Sequence, residues 1–323
     1  MKKTLRPAVY FIGGMFLSAS IFTGYAFRAA EKTDDLIEHE KNMAVEEAMG
    51  EVSKDGKVKL KWYPPSLPEK MTFAGENVPL ERTDIQEQFD RELMYNYYSP
   101  NSLLSILRLS TRYFPIIEKE LRAAGVPEDF KYLCVAESAL RNQTSSVGAE
   151  GFWQFMPRTA PQYGLEVNGE VDERYDITKS TRAAAQYLKE AYNKFGSWTL
   201  AAASYNVGMG GVNKFQGLQK QNSYYDLHLP QETMRYVFRI LSFKYLMSEA
   251  NKLGFVVPLK ESYKPYNTKT VTVTTSIPDL ADFAIEHGTT YKLLKLANPW
   301  LHDTKLTVKN KTYQIEVPQG QNI

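Results

Sequence analysis

Apolar residues recur at helical spacing through the middle of the chain, and this pattern constrains the fold more than any other feature. Leu103, Leu104, Ile106 and Leu107 open one stripe, which resumes at Phe114, Ile116 and Ile117 beyond an interruption expected at Pro115. Ala184, Leu188, Ala191 and Phe195 form a second, with Gly196 placed to end the helix. Met234, Val237, Phe238, Leu241 and Tyr245 form a third. Several helices joined by short polar loops, with few strand-like segments between them, predict a mainly α fold with a compact helical domain over residues 84–254. At 323 residues there is room for about two domains plus extensions, and 43% hydrophobic residues suffice for a packed core.

One carboxylate falls on an apolar stripe. In PEDFKYLCVAESAL, the residues Phe130, Leu133 and Cys134 stand at helical spacings that put Glu137 on their face, one further turn along. Two readings follow from the pattern. Glu137 is a helix-end residue whose carboxyl swings out to water, or it is a poorly solvated acid whose pKa rises toward neutrality, as a general acid requires.

Composition narrows the function classes. The formal charge is only +2, and no basic cluster interleaved with aromatic residues appears, so nucleic acid is not an expected partner. Four scattered histidines (His39, His228, His287, His302) and the single Cys134 offer no metal-ligand cluster, and no cofactor is expected. Cys134 reads as small apolar filler on the Leu133 stripe.

The ends have different textures. Lys2, Lys3 and Arg6 precede an uncharged stretch from Ala8 to Phe27, so residues 1–27 read as a signal anchor, or as a signal peptide cleaved near Gly24 and Ala26. Either reading puts the remainder outside the cytoplasm, in the cell envelope, with the membrane as partner if the segment is retained. Residues 28–83 are first charged and then rich in proline (Pro64, Pro65, Pro68, Pro79), which predicts a semi-extended spacer or an arm laid on the helical domain. Over residues 268–318, alternating valine and threonine from Lys269 to Thr275, two short helical segments around Gly288, and a strand-like Tyr313–Val317 predict a small β-α-α-β domain.

Four blocks carry a resemblance. These are the Glu137-Ser138 pair, GAEGFWQFMP from Gly148 to Pro157, LAAASYNVGMGGV from Leu200 to Val212, and QETMRYVFRI from Gln231 to Ile240. In order and approximate spacing they resemble the lytic transglycosylases with a goose-lysozyme-like (SLT) catalytic domain, most closely the membrane-bound lytic murein transglycosylase D group. The resemblance runs from about Asp90 to Lys252. It implies a lysozyme-like fold and action on peptidoglycan glycan strands. Glu137 would protonate the oxygen of the MurNAc-GlcNAc β-1,4 bond, then take the proton from the C6 hydroxyl of the same sugar to form 1,6-anhydro-MurNAc.

By motif position the resemblance also implies substrate-binding roles for Ser138, Gln154, Tyr205, Asn206 and Tyr236. Tyr236 lies off the Met234–Val237–Leu241 stripe and is expected to face a cleft. Trp153 reads either as a sugar platform or as a core tryptophan. Ser204 stands where the family has alanine and adds a hydroxyl that needs a partner.

A second carboxylate would suit hydrolysis, and Glu150, Asp172, Asp176 and Glu232 are the candidates. None lies in a comparably apolar setting. The competing readings are a muramidase of the same fold, and a non-catalytic wall-binding protein. The C-terminal segment resembles a LysM module, a glycan-binding fold, with Asn298-Pro299 at a position where that family often has this pair. Ser276-Ile277-Pro278-Asp279-Leu280 replaces the family's usual Gly-Asp-Thr-Leu opening, so the domain is expected either to bind glycan or to pack only.

Overall fold

A computed structural model describes residues 51–52, 58–59 and 65–319. The expected signal or anchor segment at residues 1–27 lies outside the described residues, as does most of the charged and proline-rich stretch. Among the described residues no helix is long and apolar enough to cross a membrane. The chain divides into two compact units, Met1–Ser66 and Leu67–Ile323. In the first, β1 (Glu51–Val52) pairs antiparallel with β2 (Val58–Lys59).

The second unit opens with a hairpin, β3 (Met71–Phe73) and β4 (Glu76–Val78). Its turn residues Ala74 and Gly75 both have positive φ, 52° and 83°, the pairing that a two-residue turn needs to match strand twist. The sequence leaves this stretch as spacer or arm, and from Leu67 onward it is an arm. Phe73 and Val78 are buried in the main core, because the alternating side chains of a hairpin send one face inward. Its Glu76 carboxylate accepts hydrogen bonds from the Trp198 and Thr199 amides at 2.5 and 2.9 Å. A carboxylate there neutralises the open N–H groups of the helix that begins at Trp198.

Six helices then build the core: α1 (Thr83–Tyr97), α2 (Pro100–Ala123), α3 (Lys131–Ser138), α4 (Ile177–Phe195), α5 (Trp198–Gln219) and α6 (Gln231–Ser248). Pro115 does not interrupt α2. It sits on the exposed side of a continuous helix, while Leu103, Ile106, Ile117 and Leu121 are buried on both sides of it. Burial of four such side chains outweighs the roughly 3 kcal/mol that a proline costs within a helix. Gly196 ends α4 in the left-handed conformation, as its position predicts. Gly208, with φ 78° and ψ 152°, kinks α5 rather than ending it. Helix α6 packs against α1, α3 and α5 and is buried well beyond the predicted stripe, including Thr233, Tyr236, Ile240 and Ser242.

The C-terminal lobe has the expected β-α-α-β order: β5 (Thr268–Val273), α7 (Leu280–Glu286), α8 (Tyr291–Ala297) and β6 (Tyr313–Pro318). The strands pair antiparallel from Thr268 opposite Pro318 to Val273 opposite Tyr313. Asp279, in the segment that departs from the LysM opening, caps α7 through the Ala281 amide at 2.6 Å. Asn298 is fully buried and joins α8 to β6. Its Nδ2 donates to the Leu294 and Glu316 carbonyls, and its Oδ1 accepts from the Glu316 amide. The lobe's core, with Leu280, Leu294, Trp300, Leu301 and Ile315, also takes in Val171 from the loop before α4.

Candidate active site

Helix α3 ends abruptly at the Glu137-Ser138 pair, because Ala139 and Leu140 both take left-handed backbone, φ 52° and 58°. Glu137 therefore stands in the last turn, at the negative end of the helix, where a carboxylate is disfavoured. It lines an open cleft of about 420 Å³ with Tyr95, Asn96, Gln143, Arg235 and Arg239. Among the described residues lining that cleft, Glu137 is the one carboxylate.

The surroundings set its proton affinity. Burial raises the Glu137 pKa from its ordinary 4.5 to about 7, opposed by a hydrogen bond from Tyr236 and by the positive charge of Arg239, while Glu232 adds to the rise. The group is thus balanced between acid and base near neutral pH. Tyr236 is a correction to the sequence reading. It does not face open cleft but is 2% exposed on α6, and its hydroxyl donates to Glu137 Oε1. Burial and the adjacent Glu137 carboxyl both push the Tyr236 pKa well up, so the phenol keeps its proton and remains a donor.

The other predicted residues are held at different removes from Glu137. Ser138 lines the cleft, but it is buried and its hydroxyl donates to the Cys134 carbonyl at 3.2 Å, one turn back on α3. Tyr205 donates to the Trp153 carbonyl at 2.8 Å, and burial next to Glu137 raises its pKa well above the ordinary value. Gln154 takes a positive φ of 49° and spends its amide N–H groups on the carbonyls of Gln143 and Gly151, at 2.9 and 2.8 Å. Asn206 is exposed and accepts from Thr233 Oγ1 at 2.7 Å, tying α5 to α6. Gln154, Tyr205 and Asn206 do not line the Glu137 cleft.

Trp153 is a core residue and no sugar platform, fully buried with its indole N–H on Thr181 Oγ1 at 2.9 Å. The Ser204 hydroxyl finds its partner in the Ala201 carbonyl at 2.8 Å. Cys134 is a buried free thiol. Each second-carboxylate candidate is engaged elsewhere. Asp172 and Glu150 pair with Arg174, Asp176 caps α4, and Glu232 pairs with Arg239. Among the described residues no three His, Cys, Asp or Glu side chains converge as metal ligands would.

Sequence reading missed Gln143, Arg235 and Arg239. The two arginines stand at i and i+4 around Tyr236, a spacing that puts them on one helix face. Both reach the fully buried Glu92 of α1, Arg235 at 2.7 Å and Arg239 at 3.9 Å. Gln143 gives no signal in the sequence, since its place depends on the turn after α3.

Residues 114–227 match the family model described as Transglycosylase SLT domain, and residues 269–321 that of the Soluble lytic transglycosylase C-terminal LysM-like domain. Over 258 residues the chain is 28% identical to the membrane-bound lytic murein transglycosylase D of Escherichia coli (strain K12), covering 76% of this chain and 55% of that protein. The chain thus spans about half the length of the curated relatives it matches. Among solved structures, the 70 kDa soluble lytic transglycosylase from Escherichia coli is 22% identical, with 55% of this chain and 33% of that one covered at a TM-score of 0.37. An inactive variant of the lytic transglycosylase Slt from Pseudomonas aeruginosa is 24% identical, with 47% and 26% covered and the same TM-score of 0.37. Residues 114–227 thus carry a transglycosylase SLT domain and residues 269–321 a LysM-like domain of the soluble lytic transglycosylase type, in a chain similar to membrane-bound lytic murein transglycosylase D.

Proposed function

We propose that this protein is a peptidoglycan lytic transglycosylase that cleaves the MurNAc-GlcNAc β-1,4 bond and leaves a 1,6-anhydro-MurNAc end. The observation that carries the reading is Glu137, a carboxyl raised to about 7 in an open cleft that presents no second carboxylate among its described lining. As the acid, Glu137 gives its proton to the glycosidic oxygen while the C1–O bond breaks and positive charge builds on the ring. As the carboxylate so formed, it takes the proton of the C6 hydroxyl while O6 closes on C1. The proton returns to Glu137, water is not consumed, and the enzyme is ready for another turn.

The neighbours suit both halves of this cycle. Tyr236 occupies Oε1, which leaves Oε2 to carry the proton, and Arg239 steadies the carboxylate between the two steps. Ser138, Gln154, Tyr205 and Asn206 are proposed to bind the glycan, directly or by shaping the loops around the cleft. The place of action is the cell envelope, on peptidoglycan strands, in keeping with the name of the Escherichia coli relative. Attachment through residues 1–27 belongs to the same proposal.

The test is digestion of purified sacculi with the protein, followed by mass spectrometry of the new chain ends. Anhydro ends are expected. Reducing ends would assign the same fold to hydrolysis, and glycan binding without any fragments would assign it to wall binding.

A further inference from the structure

We infer that Arg174 is a positioning residue for substrate binding, fixing the 148–155 loop that holds Gln143 of the Glu137 cleft, while the C-terminal lobe holds Arg174 through Asp172. The inference rests on the cleavage reading above and adds a residue and a route to it.

Arg174 is 4% exposed, and its guanidinium is spent in full. Nε and Nη2 form a fork on the Asp172 carboxylate at 2.9 and 2.6 Å. Nη1 donates to the carbonyls of Gly148 and Phe155 at 3.3 and 3.2 Å, and Nη2 meets Glu150 Oε2 at 3.2 Å. Both ends of the loop are therefore pinned to one planar group, and reciprocal Glu150–Phe155 backbone bonds of 3.1 Å close it. From the other side Gly151 packs so closely that a Cβ there would lie 2.0 Å from the Arg174 carbonyl oxygen. A buried ion pair adds little net stability, whereas a rigid five-donor fork fixes geometry.

The pinned loop reaches the cleft by one further step. The Gly151 amide and Gln154 Nε2 both donate to the Gln143 carbonyl, at 3.1 and 2.9 Å, and Gln143 lines the cleft beside Glu137. At the other end, the segment carrying Arg174 is shared with the C-terminal lobe. The Asp172 amide donates to the Trp300 carbonyl at 2.9 Å, and Val171 bridges to Leu301 inside the lobe's core. The Glu170 carboxylate accepts from the Thr307 amide and hydroxyl at 2.6 and 3.0 Å. This route meets the site at Gln143, a residue of the cleft lining, and bypasses the Tyr236–Glu137 pair, so it affects binding and leaves proton transfer alone.

The full chain carrying Arg174→Lys or Gln143→Ala is compared with wild type on soluble uncross-linked glycan strands. Strand binding is also measured by calorimetry, with each change placed in a Glu137→Gln background. Arg174→Lys keeps the charge and loses the fork, and Gln143→Ala removes the side chain of the residue whose backbone carbonyl the route ends on. KM and the calorimetric Kd should each rise about tenfold in both variants, with kcat and its pH profile within about twofold of wild type. Unchanged KM and Kd in either variant would overturn the inference, as would lower kcat at constant KM, which reports a smaller folded fraction. Should Arg174→Lys fail to fold, Asp172→Asn replaces it, judged on the same rise in KM and Kd. A wild type that binds strands and releases nothing defeats the cleavage reading alone, since calorimetry still decides on Arg174.

Discussion

Tyr236 of α6 donates its phenol hydroxyl to Oε1 of Glu137 at the end of α3, from 99 positions further along the chain. The bond lowers the Glu137 pKa against the opposing effect of burial. Tyr236→Phe keeps the ring and removes the donor, so the carboxyl will hold its proton more tightly. The alkaline limb of the turnover profile, expected near pH 7 in wild type, should move upward. Turnover at its optimum should fall by about tenfold, because the carboxylate loses its orienting partner. A limb that stays in place would show that the phenol is not coupled to the acid. The measurement is turnover on soluble glycan strands from pH 5 to 9.

In the proposed cycle, Glu137→Gln removes both the proton donor and the later base. Turnover should fall by about a hundredfold to ten-thousandfold while strand binding persists. The same change should act on stability in a pH-dependent way. Between 4.5 and about 7 the folded protein keeps a proton that the unfolded chain has released, so Glu137 makes folding less favourable as pH rises through that window. Glu137→Gln should therefore gain about 1–3 kcal/mol over wild type at pH 8, and little at pH 4, in denaturant titrations. An equal difference at both pH values would contradict the raised pKa.

Gly151→Ala tests the tight approach at the loop. Gly151 has φ +82°, and the added Cβ would lie 2.0 Å from the Arg174 carbonyl oxygen, a backbone atom with no freedom to turn away. A loss of about 3 kcal/mol or more is expected in chemical denaturation. A change within about 1 kcal/mol would mean that the loop shifts to make room.

Much of the fold and part of the site are legible in the sequence. Helical stripes mark α2, α4 and α6, Gly196 ends α4, and the strand-helix-helix-strand order of the last fifty or so residues follows from alternation and helical spacing. Pro115 and Tyr236 are misread for a common reason. A periodic pattern describes one helix in isolation, and both residues belong to helices whose neighbours decide the outcome. The core on both sides of Pro115 holds α2 together, and three helices packed around α6 bury a tyrosine that lies off its main stripe.

The sequence by itself determined where the helices run, that a carboxylate falls on the apolar stripe of one of them, and that a β-α-α-β lobe follows. Local propensity and hydrophobic spacing act within a turn or two, so a single chain segment suffices to show them. Only the tertiary structure decided that Tyr236 caps the Glu137 carboxyl, that the arm at Glu76 closes the N-terminus of α5, and that Arg174 ties the 148–155 loop to Asp172, whose amide bonds the C-terminal lobe. Those relations join residues dozens of positions apart, and they exist only once burial has removed water and left each polar group to find its partner within the protein.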